Sequence, residues 1–237
     1  MKATVLTIFP EMFPGLLSYS LAGKALDAGR WHLETVNIRE YAFDKHRTVD
    51  DVPFGGGAGM VMKVDVLDKA LQETYGKSAV KGPLIYFSPK GKPLTQKRVR
   101  ELAKEEEITL LCGHFEGIDE RVFDLWPIEQ ISIGDYILSG GETAAMVLLD
   151  AVVRLLPDTL GNKDSLTEES FENGLLEYPQ YTRPADYKGH KVPEVLIGGH
   201  HGKIKEWCLE QSKAVTKEKR PDLYEAYLKN NEEKGNL

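Results

Sequence analysis

The chain has 237 residues, of which 41% are hydrophobic and 28% charged, enough for one large core with a small appendage. No run nears the roughly 18 apolar residues of a membrane span, and the opening MKATVLTIFPEMF meets Pro10 and Glu11 too early for a secretory segment, which points to a soluble cytoplasmic protein. The formal net charge of −7 speaks against a nucleic-acid partner, yet residues 183–220 hold nine Lys or Arg against five Asp or Glu, either a solvated face or a local phosphate-binding patch.

In chain order, residues 3–9 (ATVLTIF) predict a strand, 10–28 a helix stopped by Gly29, and 33–38 an alternating strand. Residues 41–62 form a long loop ending in FGGGAGMVM, and 64–75 a helix. Residues 84–88 (LIYFS) are an apolar strand stopped at Pro89, 95–106 a charged helix, and 108–112 (ITLLC) a second apolar strand. A short helix precedes a strand over 130–133, and 142–156 is an apolar helix ended by Pro157. Continuous apolar strands separated by helices predict a parallel sheet covered on both faces, an α/β fold. Residues 158–174 are polar and glycine-bounded, as in a flexible linker. Beyond them the pattern predicts helices over 202–215 and 221–229, a small helical domain. The expected division is 1–158, a linker 159–174, and 175–237.

Three loops, 88–93, 113–117 and 133–141, each follow a predicted parallel strand. They should meet at one carboxyl edge of the sheet, where open α/β folds bind ligands. The pocket is not a P-loop, because Met60, Val61 and Met62 separate Gly59 from Lys63. Nor does G-x-G-x-x-G follow the first strand. Ser139 and Glu142 have the S-x-x-E spacing of a capping box, which by itself would explain both. Cys112 and Cys208 fit neither a zinc ribbon nor a disulfide framework and read as reduced thiols in apolar surroundings.

The segments FGGGAGMVMK, LLCGHFEGIDERV, SIGDYILSGGE, ESFENGLLEYPQYTRP and RPDL resemble, in the same order, the bacterial tRNA (guanine-N1)-methyltransferases of the TrmD type, in the SPOUT superfamily. The resemblance implies a trefoil-knotted parallel-sheet domain and a homodimer whose active site is shared between subunits. It also implies methylation of N1 of the guanosine at tRNA position 37, next to the anticodon, when another guanosine precedes it. The donor, S-adenosylmethionine, would lie against Tyr86, Phe87, Ser88, Pro89, Gly113, Phe115, Glu116 and Gly117. Its other wall would be Ile133, Gly134, Asp135, Tyr136, Ile137, Leu138, Gly140 and Gly141.

Guanine N1 carries a proton at neutral pH, so a positioned carboxylate must take it while a guanidinium steadies the charge that builds toward O6. By resemblance these are Glu169, where the family has Asp, with Glu168 beside it, and Arg154. By themselves they would pass for a solvated acid and a last-turn cation. His46, Asp50, Gly59, Ser165 and Ser170 would grip the anticodon loop around a base turned out of its stack. Arg183, Lys203, Lys205 and Arg220 would meet phosphates. Mg²⁺ is linked to the family, with Glu116 as the link, but spacing reveals no metal cluster and no ligand is assigned. Phe115, Gln180 and Ala144 replace a common Tyr, His and Pro. A same-fold enzyme with another RNA acceptor and a non-enzymatic RNA-binding protein are the competing readings; donor binding separates the last.

Overall fold

The computed structural model describes residues 1–160 and 169–235. The chain divides into two compact units, Met1–Gly161 and Asn162–Leu237. Of the linker expected over 159–174, residues 161–168 lie outside the described ones. Among the described residues no helix is long and apolar enough to cross a membrane.

In the first unit, β1 (Lys2–Thr7) is followed by two 3-10 turns, Pro10–Met12 and Gly15–Ser18, and by α1 (Ser20–Asp27). The single helix expected over 10–28 is thus broken. Pro14 has no N–H to donate, and Gly15 sits at φ +53°, so no continuous helical ladder can pass them. β2 (His32–Asn37) leads to a 3-10 turn, Ile38–Tyr41. The long loop holds a small antiparallel pair, β3 (Asp50–Asp51) with β4 (Val61–Met62), before α2 (Val64–Glu73).

β5 runs from Leu84 to Pro93, past the expected stop. It meets β7 (Ile128–Ser132) twice: Phe87 and Lys92 both pair with Ile131, so residues 88–91 arch outward between them. Between these strands lie α3 (Gln96–Leu102), β6 (Glu107–Leu111) and α4 (Arg121–Leu125). α3 ends four residues early because Glu106 and Glu107 are drawn into the sheet: the Lys2 N–H donates to the Glu106 carbonyl at 2.8 Å. The unit closes on α5 (Glu142–Val153).

The five-stranded sheet has the order β2-β1-β6-β5-β7 and every pair is parallel. Alternate residues serve opposite cores. Val5, Ile85 and Leu110 join α1, α3 and α5, while Leu6, Leu84 and Leu111 join α2. Both faces are buried, which explains why the strands read as continuous apolar runs. From β7 the chain returns past the end of β5 to reach β6, where the Gly141 N–H donates to the Gly113 carbonyl at 2.9 Å. A knotted path requires that crossing.

The second unit contains a hairpin, β8 (Asp186–Tyr187) with β9 (His190–Lys191), then α6 (Glu194–Ile197), α7 (His201–Lys219) and α8 (Pro221–Gly235). The hairpin and α6 escaped prediction, and both long helices outrun their expected ends. Buried Thr216 ties α7 to the preceding segment: its hydroxyl donates to the Ser212 carbonyl at 2.6 Å and accepts the Leu176 N–H at 2.8 Å. An α/β parallel-sheet domain with a small helical partner is the expected class.

Candidate donor pocket

A cavity of about 400 Å³ opens at the carboxyl ends of β5, β6 and β7, a volume suited to a small-molecule ligand. Residues 86–90 of β5 form one wall, 113–117 after β6 another, and the segment after β7 the third. Of the donor-binding residues expected from sequence, only Asp135 does not line it. Lys90, His114, Ile131, Ser132, Ser139 and Ala144 line it as well. His114 stood inside a motif, but nothing in its spacing marked it.

The wall is built for close approach. Gly140 has room for no side chain: a Cβ there would come within 2.4 Å of Glu142 Oε2 and 2.6 Å of His114 Nε2. Tyr86 is buried edge-on against Phe123, ring centres 5.5 Å apart, and burial pushes its phenol above the ordinary range. Phe115, exposed, adopts φ +59°, a left-handed conformation unusual for an aromatic residue.

The capping-box expectation fails. α5 begins at Glu142, with Gly141 at its N-cap and no side-chain cap. Ser139 therefore stands outside the helix. Glu142, only 2% exposed, accepts a hydrogen bond from the Thr7 hydroxyl at 2.7 Å. Next to it the Cys112 thiol is pushed well up, first by burial and then by the Glu142 charge.

A family model described as tRNA (Guanine-1)-methyltransferase TrmD matches residues 1–226. The chain belongs to that family. A TrmD relative, the tRNA (guanine-N(1)-)-methyltransferase of Brucella canis, is 59% identical over 228 residues, 96% of this chain and 92% of its own. The like-named protein of Rhodospirillum rubrum is 57% identical, over 96% of this chain and 94% of its own.

Residues assigned to the acceptor by resemblance to TrmD proteins are dispersed. Asp50 lies in β3 and Gly59 in the loop that β3 and β4 close. That loop is pinned to the pocket: the Glu116 N–H donates to the Met60 carbonyl at 2.9 Å, and Met62 N–H to Gly117 carbonyl at 3.0 Å. His46 is exposed, its N–H donating to the Asp44 carboxylate at 3.0 Å. Arg154 is the C-cap of α5, about 15 Å along the helix from Ala144 of the pocket wall at ~1.5 Å per residue.

In the second unit Glu169 lines a groove of about 380 Å³ with Asn173, Tyr178, His201, Lys205 and Cys208. Ser170 accepts the Glu177 N–H at 3.0 Å, and Gln180 donates to the Glu177 carboxylate at 2.6 Å. Arg183, Lys203, Lys205 and Arg220 are exposed. The Arg220 guanidinium forks onto Asp222 at 2.9 and 2.7 Å. Ser165 and Glu168 lie outside the described residues. Among the described residues no group of three or more His, Cys, Asp or Glu side chains converges as for a metal.

Proposed function

We propose that this protein, in the cytoplasm, transfers the methyl group of S-adenosylmethionine to N1 of the guanosine at tRNA position 37. The observation that carries the reading is the glycine-walled pocket at the ends of β5, β6 and β7, in a chain matched by the TrmD model over residues 1–226. The donor brings an already activated sulfonium methyl, so the protein needs no nucleophile of its own. Its walls suit that ligand: main chain laid bare by Gly140 and Gly141, and the apolar surface of Ile137 and Leu138.

Glu169 takes the N1 proton as the methyl bond forms, and Arg154 holds the charge that develops at O6. Arg154 sits about 15 Å along α5 from the nearest residue of its own chain's pocket on that helix, Ala144. Such a separation favours a homodimer in which one subunit's donor pocket is completed by its partner. Exposed Leu16, Tyr19 and Val147 offer apolar surface for that contact. Residues 159–174 join the donor domain to the tRNA-binding domain, where Arg183, Lys203, Lys205 and Arg220 meet phosphates. His46, Asp50, Gly59, Ser165 and Ser170 hold the anticodon loop. Mg²⁺ belongs to the same reading, with Glu116 the residue linked to it and no ligand set assigned; a single carboxylate would suit an ion that keeps water and substrate oxygens as its other ligands.

Two tRNA transcripts test the proposal, one with guanosine as the last anticodon base and one without. Incubation with the donor should yield 1-methylguanosine in the first alone. A product methylated at a ribose, or equal product from both transcripts, would sink it.

A further inference from the structure

We propose that Glu142 is a positioning residue for the methyl donor: a buried carboxylate that accepts the Thr7 hydroxyl, faces His114, and so steadies the two pocket segments that meet beside it. The inference rests on reading that cavity as the donor site. Glu142 does not line the cavity. It stands behind residues that do, namely His114, Gly140 and Gly141.

A carboxylate at 2% exposure is retained only where partners replace its water. Oε1 accepts the Thr7 hydroxyl at 2.7 Å, and the same Thr7 oxygen accepts the Phe9 N–H at 2.9 Å. The end of β1 is thereby tied to the start of α5. Oε2 faces His114 Nε2 at 3.6 Å. The imidazole is wedged edge-on against Phe9, centroids 5.0 Å apart, and tilted against Phe115 at 5.6 Å. His114 and Gly140 are bridged through their main chains, and the missing side chain at Gly140 leaves the space the pair occupies. The first turn of α5 also favours negative charge at that position. One carboxylate therefore meets the end of β1, the loop after β6 and the segment after β7. A change of charge there should shift both walls without touching the reacting atoms.

The test is isothermal titration of S-adenosylmethionine, together with steady-state kinetics on tRNA. Glu142→Gln keeps the size and an oxygen for Thr7 but loses the charge facing His114. We expect roughly tenfold weaker donor binding and a matching rise in donor KM, with kcat at saturating donor within about twofold of the parent. A folded Glu142→Gln protein whose donor affinity stays within twofold overturns the inference. So does a loss confined to kcat, which would place the carboxylate in the chemistry. Should Glu142→Gln fail to fold, Thr7→Val removes the hydroxyl and keeps the shape. It should weaken the donor about threefold, consistent with losing one hydrogen bond, and unchanged affinity again overturns the inference. If the parent chain itself binds no donor, the proposed function falls and takes this inference with it.

Discussion

The Glu116 carboxylate occupies the space a side chain on Gly59 would need: a Cβ there would meet Oε1 at 2.4 Å and Cγ at 2.5 Å. Gly59 also sits at φ +91°, where any L-residue is strained by about 1–2 kcal/mol. Glu116 is exposed and can swing aside, so Gly59→Ala should fold while displacing a residue of the pocket wall. We expect kcat/KM for tRNA to fall roughly tenfold, since small displacements at a site are costly. A double-mutant cycle with Glu116→Ala checks the cause. If the contact matters, the double variant should be little worse than the poorer single one; additive losses would refute it.

Glu169→Gln should depress turnover at least about a hundredfold, the scale of general-base catalysis, while donor affinity measured by calorimetry stays near that of the parent. Glu168→Gln is the control. If it is the damaging change instead, the base has been assigned to the wrong carboxylate.

Leu16 is 53% exposed, on the 3-10 turn that packs beside α5, and Val147 is 44% exposed on α5 itself. A charge at either position would be buried without a partner in the proposed dimer. Leu16→Asp or Val147→Asp should each weaken association by about 2 kcal/mol or more, roughly thirtyfold. Sedimentation velocity across a dilution series would read this as a shift toward monomer. Unchanged dissociation would move the interface elsewhere.

Cys112 is fully buried and its thiol lies well above the ordinary range, whereas Cys208 is half-buried. Raising a thiol pKa lowers the thiolate fraction, and the thiolate is what reacts. In the native protein at neutral pH, a thiol-specific disulfide reagent should therefore label Cys208 well before Cys112. Cys112 should stay protected as the pH climbs through the usual thiol range. Mass spectrometry of peptides after timed labelling checks the order; equal rates would contradict it.

The strands were legible because both faces of the sheet are buried, so 84–88 and 108–112 appear as apolar runs wherever they are read. The pocket walls were legible as glycine motifs, and all the residues expected there but Asp135 line one cavity. What sequence missed was non-local. Residues 92 and 93 rejoin the sheet because β7 lies there to receive them, and α3 stops early because β1 claims Glu106.

Sequence by itself determined the family, the five strands of the main sheet, and the glycine loops at their ends, because each depends on local pattern and residue type. Only tertiary structure decided what Glu142 does. Its spacing from Ser139 promised a helix cap, a local bond. Its burial against Thr7, 135 positions earlier in the chain, made it the anchor of the pocket instead. Burial and partnership depend on which distant segments meet, and no window of sequence carries that information.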